Sequence, residues 1–311
     1  VAIVTGGCRG IGKAITELGA KNDKVVALDA DLAGATKSGI FKAAYPDRFF
    51  DFGIAEANMV AAAAGMARAG LIPFASTFAL FGAGRAFEII RNAVCYANAN
   101  VKFGFSHAGL SVGEDGGSHQ SIEDIALMRV LPNMTVFVPC DAIECRKAVF
   151  KAAEIEGPVF IRTSRMAVEN VTKESTPFEP GKSAVLRKGK DVCLIACGLM
   201  VGTALKAADL LAKDGIEAAV VDMYSIKPID RACILRMARN TKAIVTAEEH
   251  SVIGGLGSAV AEVLAGKADC GFAMVGVEDI FGQSGKPAEL FKAYGLTAEN
   301  IAKKAKKAMR K

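Results

Sequence analysis

The sequence predicts an α/β protein of two doubly wound domains with mostly parallel sheets. Three observations carry this. Short apolar runs alternate with helix-patterned stretches along most of the chain, the mark of parallel strands joined by crossover helices. The alternation lapses once, after Arg165, in MAVENVTKESTPFEPGKSAVLRKG, a stretch rich in Lys, Glu, Ser, Thr and Pro. With 311 residues, 51% of them hydrophobic, the chain has apolar mass for more than one core.

The first domain is expected over residues 1–168. Its buried strands read as KVVALDA, LIPFAS, VKFGFS, MTVFVPC and GPVFIRT, with the helices EANMVAAAAGMARAG and GRAFEIIRNAVCYA between them. The polar lapse is read as a linker over 169–188. The second, smaller domain, 189–311, resumes the alternation. DVCLIACG is followed by a helix from Gly202 to Lys213, then IEAAVVDM, a helix near Asp230 to Arg239, KAIVTAEE, GGLGSAVAEVLAG and FAMVGVED.

Composition narrows the function classes. The net charge of +5 is concentrated in the final KKAKKAMRK, which reads as a solvated last helix rather than a nucleic-acid arm. No apolar run reaches the roughly 18 residues of a membrane span, and no signal-peptide pattern opens the chain, so a cytoplasmic protein without a membrane anchor is expected. The eight cysteines form no C-x-x-C pair and sit in apolar surroundings. Reduced, buried thiols and no protein-held metal are expected.

Two stretches compete to name the chemistry. TGGCRGIG, near the start, matches the glycine turn of short-chain dehydrogenases, with Asp29 closing the next strand where a ribose-binding carboxylate would stand. That chemistry needs a Tyr with a Lys four residues on. The four tyrosines are followed at that distance by Phe49, Asn100, Pro228 and Ala298, so none supplies the pair. Hydride transfer is therefore disfavoured.

The second stretch, RFFDFGIAEANMV, places Glu56 near the start of an alanine-rich helix. A buried carboxyl with no adjacent Lys or Arg in sequence is a candidate hydrogen-bond partner and acid/base group. Phe78 and Phe81 stand three apart, and SHAGLSVGEDGGSHQ packs His107, Asp115 and His119 into thirteen residues. Arg162 and Arg165 follow a strand, where α/β proteins bind ligands. Together these groups suit a hydroxylated, anionic substrate.

In combination, DADL, RFF-x-x-GIAEANM, TF-x-x-F, SHAGLSVGEDGGSHQSIEDIA-x-x-R-x-LPNM and FIRTSR make the chain resemble the transketolase family from about Lys13 to the end. The resemblance covers that family's C-terminal half, the pyrimidine-binding (Pyr) domain and the C-terminal domain. It implies the C-terminal subunit of a split transketolase, a transferase of carbohydrate metabolism in the pentose phosphate pathway. Such an enzyme moves a two-carbon ketol unit from a ketose phosphate to an aldose phosphate, with thiamine diphosphate as electron sink. The family's G-D-G and paired-asparagine motifs, which hold the diphosphate through Mg²⁺, are missing from this sequence. An N-terminal partner subunit is implied to bring them, in a heterotetramer.

The resemblance also assigns roles. Glu56 is implied to bond the aminopyrimidine ring nitrogen and activate the cofactor, and Phe78 and Phe81 to form the aromatic wall against that ring. Asp31 and Leu32 of DADL line the cofactor pocket. His107 and His119 contact substrate hydroxyls and developing oxyanions, Asp115 the C2 hydroxyl, and Arg165 the terminal phosphate. Two departures stand out. GGCRGIG replaces the family's usual arginine segment, leaving Arg9 one residue off its position, and AGAT follows DADL where a phosphate-assisting serine is usual. Deoxyxylulose-phosphate synthase and 2-oxoacid dehydrogenase β subunits share the Glu and domain order, but GEDGGSHQ with LPNM favours sugar transfer. A noncatalytic homologue is disfavoured because Glu56, His107, Asp115 and His119 are all retained.

Overall fold

Burial decides which apolar runs become strands. The computed structural model describes residues 5–310, with side chains from residue 10 onward. In chain order the strands are β1 Thr5–Gly6, β2 Val25–Asp29, β3 Phe49–Asp51, β4 Ile72–Phe78, β5 Lys102–Ser106, β6 Thr135–Phe137, β7 Val159–Arg162, β8 Ala167–Val168, β9 Ala184–Arg187, β10 Val192–Ala196, β11 Ala218–Asp222, β12 Ser225–Lys227, β13 Ala243–Ser251 and β14 Gly271–Val277. The central ones, β2, β5, β10 and β11, are buried at every residue. Strands covered on both faces read as continuous apolar runs, as these do.

Two sheets organise the chain. The larger has the order β12-β6-β7-β5-β4-β2-β3 and the smaller β14-β13-β10-β11-β9. Pairing is parallel throughout except at one edge of each, where β12 and β9 run antiparallel to their neighbours. This is the doubly wound pair that the alternation predicts.

Helices pack on both faces for readable reasons. Glu56–Arg68 buries Glu56, Met59, Val60, Ala63 and Ala64, one stripe at helical spacing. Ala142–Glu154 starts where Asp141 accepts from the Glu144 N–H, and Arg231–Asn240 where Asp230 accepts from Cys233. No helix among the described residues is long and apolar enough to cross a membrane.

The structure departs from the sequence reading in four places. GRAFEIIRNAVCYA is not one α-helix: wide π-type turns at Leu80–Arg85 and Ile90–Tyr96 flank a short α segment, Phe87–Ile89. Such turns are rare and often mark functional sites. The polar stretch after Arg165 ends in β9, an edge strand. β12 crosses from the later part of the chain to extend the larger sheet.

The fourth departure concerns the opening glycines. β1 pairs antiparallel with β8 outside both large sheets, and the helix Gly7–Gly19 begins inside the glycine run. Among the described residues no parallel βαβ turn is formed here. A Cβ at Gly12 would lie 2.1 Å from the Lys37 carbonyl oxygen, so this glycine serves close helix packing. Residues 1–4 and the side chains of Cys8 and Arg9 lie outside the described residues, and with them the position weighed for Arg9.

Candidate active site

The C-terminal ends of β4 and β5 lie side by side, because Phe78 pairs with Ser106 in the register of these strands. This is the edge of a parallel sheet where ligands bind. Phe78 ends β4, and the chain turns at once into the wide helix that carries Phe81. Their rings stack, 5.9 Å apart and 21° from parallel. His107, the residue after β5, stacks on Phe78 at 3.9 Å, and His119 meets the edge of Phe81 at 5.2 Å. Four residues from three sequence segments thus form one ladder, His107–Phe78–Phe81–His119.

Glu56 reaches this ladder through a residue that the sequence reading missed. Arg85 lies over the Phe81 ring at 4.2 Å and pairs with the Glu56 carboxylate at 3.2 Å. Glu56 is only 4% exposed. No Lys or Arg adjoins Glu56 in sequence, but the wide turn brings Arg85, 29 residues on, to it. Only the unexpected pitch of 80–85 could have signalled this contact.

His107 adopts φ +54°, a left-handed conformation that is strained for a residue with a Cβ. Its Nδ1 lies 3.0 Å from the Ser106 Oγ. Burial pushes its pKa down to about 4, with Arg165 and Lys37 lowering it and Asp115 raising it. The imidazole is therefore neutral at neutral pH, able to donate one hydrogen bond and accept one.

Asp115 and Arg165 stand at the solvent side of the site. Arg165 Nη1 donates to the Val112 carbonyl at 2.5 Å and lies 3.5 Å from Asp115 and 3.9 Å from Glu114. Arg165 thereby braces the loop that carries Asp115 while its side chain stays 45% exposed. Arg162 behaves differently. It pairs with Asp124 at 2.7 Å, both side chains being buried, and donates to the Glu249 carbonyl at 2.7 Å. It is a structural ion pair, not a ligand-facing group.

Asp31 and Leu32 follow β2, which is beside β4 in the sheet. The Asp31 N–H donates to Asp51 Oδ1, and the Leu32 N–H to Asp29 Oδ1 at 2.6 Å. No ring contact or hydrogen bond among the described residues joins them to the ladder. Asp29 is fully buried and also accepts from Thr36 and Ser38 at 2.7 and 2.8 Å. Burial raises its pKa to about 6. With its oxygens engaged by its own loop, Asp29 cannot bind a ribose, which removes the second support for a dinucleotide site.

A stacked phenyl wall beside a buried carboxylate fits a flat, nitrogen-bearing aromatic ring. For a diphosphate-bound metal the site offers less. Among the described residues, Cys140, Glu144 and Asp222 are the group dense enough to hold an ion, and they are fully buried apart from the ladder. The Cys140 thiol donates to Asp222 at 3.1 Å, and burial pushes both carboxyls up, favouring a retained proton. No disulfide joins the described cysteines; six are buried and Cys270 is partly so.

With this geometry in view, comparison with known proteins is specific. The family model for the transketolase pyrimidine binding domain matches residues 8–170, and that for the transketolase C-terminal domain matches 181–301. A Methanocaldococcus jannaschii protein provisionally named as a transketolase C-terminal section is 46% identical over 306 residues, covering 97% of this chain and 96% of its own. Homo sapiens transketolase is 42% identical over 295 residues, covering 94% of this chain but 47% of that protein. A solved structure described as a split gene transketolase, inactive beta4 tetramer, is 53% identical with a TM-score of 0.90, covering 98% of each chain.

Two outcomes follow from the geometry. In a pH titration followed by NMR, His107 should stay neutral down to about pH 5 and protonate near 4. Its folded pKa lies below the unfolded value of about 6.5, so this group costs stability as pH falls through that window. A titration near 6.5 would contradict the buried, stacked position. Arg162→Met should destabilise the chain to urea by about 3–5 kcal/mol, because it strands the Asp124 carboxylate; a loss below about 1 kcal/mol would mean that the pair is solvated.

Proposed function

The chain belongs to the transketolase family, whose members depend on thiamine diphosphate, and from that premise we propose that it supplies the Pyr and C-terminal halves of a two-chain ketol transferase. The substrates are a ketose phosphate and an aldose phosphate, as in the pentose phosphate pathway. The diphosphate and Mg²⁺ are held by an N-terminal partner chain carrying G-D-G and paired asparagines. Two of each chain assemble into a heterotetramer, in the cytoplasm. The domain boundary falls within 169–188. The observation that carries this reading is the Glu56–Arg85–Phe81 arrangement beside the two histidines.

When bound, thiamine diphosphate would supply a ring carbon that becomes nucleophilic on losing its proton and an electron sink for carbon–carbon cleavage. This chain's residues prepare and orient. Glu56 holds a hydrogen bond at the aminopyrimidine nitrogen, Arg85 fixes the carboxylate's orientation, and Phe78 and Phe81 exclude water from one face of the ring. Asp31 and Leu32 close the pocket beside them. His107 and His119 present imidazole nitrogens to substrate hydroxyls, and neutral His107 donates to an oxyanion without adding net charge. Asp115 accepts from the C2 hydroxyl, and Arg165 holds the terminal phosphate.

Likeness to proteins named as a transketolase C-terminal section and a split gene transketolase, covered over 96% and 98% of their own lengths, supports division between two chains. Alone, this chain is expected to self-assemble without turnover, as the description of the split-gene structure reads for that protein.

In the assembled enzyme, Glu56→Gln should fold and dock but lose roughly 10²–10⁴-fold in kcat; turnover near wild type would remove Glu56 from its role. Arg165→Ala should raise KM for phosphorylated sugars more than for unphosphorylated ones, measured side by side. Equal effects on both would contradict phosphate binding.

A further inference from the structure

The loop that carries His107 and Asp115 is gripped by the second domain. The Gly109 N–H donates to the Ser121 carbonyl at 2.8 Å, closing the loop on itself. At its centre the Ser111 N–H donates to Glu249 Oε1 at 2.5 Å across the domain junction. On the far side, Gln120 Nε2 donates to both the Gly113 and Gln283 carbonyls at 3.0 Å, tying the loop to the segment that follows β14.

Glu249 is built to hold this place. It lies in β13, 2% exposed, and its own carbonyl accepts from Arg162, which is fixed by Asp124. Backbone and side chain are therefore anchored separately. The approach is close enough to dictate the neighbouring residue: a Cβ at Gly109, where φ is +77°, would stand 2.4 Å from the Glu249 carboxyl carbon. Burying a carboxylate for one loop amide is costly, and the costs of Glu249 show in a pKa raised to about 7 by burial and held back by Arg162. Its second oxygen, Oε2, has no hydrogen-bond partner among the described residues, so the side chain's contribution is the Ser111 bond.

We propose that Glu249 is a positioning residue of the active site: from the second domain it fixes the 107–116 loop so that His107 and Asp115 meet the sugar. The proposal rests on the reading of those two residues as substrate contacts. It gives the C-terminal domain a defined part in substrate binding, exerted at Ser111 alongside the Gln120–Gln283 tie. Loss of the contact lets the loop relax while the Glu56 side of the site, on other elements, stays intact.

The test compares Glu249→Gln, which keeps an acceptor oxygen, with Glu249→Met, which keeps the volume and removes it. In enzyme assembled with the N-terminal chain and thiamine diphosphate, Glu249→Met should raise the donor-ketose KM by about tenfold or more, since an ångström of misplacement can cost about a hundredfold. The KM for thiamine diphosphate should not move, and Glu249→Gln should restore most of the loss. In this chain alone, hydrogen exchange should show the Ser111 amide protected in the wild type and Glu249→Gln but fast in Glu249→Met. A lowered melting temperature with unchanged donor KM would overturn the proposal, as would a Gln variant as impaired as the Met variant. If Glu249→Met fails to fold, a rapidly exchanging Ser111 amide in the wild type overturns it. Were the assembled wild type to transfer no ketol group, the proposed function would fall, while the exchange data would still decide whether Glu249 holds the loop.

Discussion

The arrangement of the molecule depends on three consecutive buried side chains, Glu248, Glu249 and His250, where β13 meets the first domain. Each accepts backbone N–H groups that would otherwise be stranded. Glu248 takes those of Leu256 and Gly257 at the start of a helix, Glu249 that of Ser111, and His250 Nε2 that of Ala126. Arg162 supplies the balancing charge through Asp124 and the Glu249 carbonyl. Removing a partner from this junction would strand a buried charge, at a cost of about 3–5 kcal/mol. The two domains are therefore held in one arrangement, and the loop between them inherits that geometry.

On this base the site uses few flexible parts. Phe78 and His107 are the terminal or next residue of adjacent parallel strands, so their stacking follows from sheet register. Phe81 depends on the wide turn that begins directly after β4, and the same turn swings Arg85 toward Glu56. The groups toward solvent, Asp115 at the end of a short 3-10 turn and His119 and Arg165 on loops, are less enclosed. A site of this form has a rigid aromatic side and a more open polar rim.

Much of this was legible in the sequence. Continuous apolar strands predicted the parallel sheets, and the spacing of Phe78, Phe81, His107 and His119 marked segments that do come together. Local pattern failed where a tertiary partner made the decision. The glycines of TGGCRGIG resemble a nucleotide turn, yet Gly12 is small because a carbonyl from another loop lies against it. Asp29 was eligible as a ribose ligand until Thr36 and Ser38, seven and nine residues on, were seen to engage it. Arg162 and Arg165 looked alike in FIRTSR, but the strand carries one inward to Asp124 and releases the other to solvent. Arg85 and Glu249 carried no local signal, because a π-type turn and a domain junction are not written in hydrophobic periodicity.

On the proposed reading, this chain holds one half of a thiamine diphosphate site and depends on a second chain for the other. This dependence is tested most directly by measuring ketol transfer from a ketose phosphate to an aldose phosphate with this chain alone, the N-terminal chain alone, and the two mixed, each with thiamine diphosphate and Mg²⁺. Turnover is expected in the mixture and in neither chain separately. Turnover by this chain alone, or silence in a mixture in which both chains are folded and associated, would contradict it.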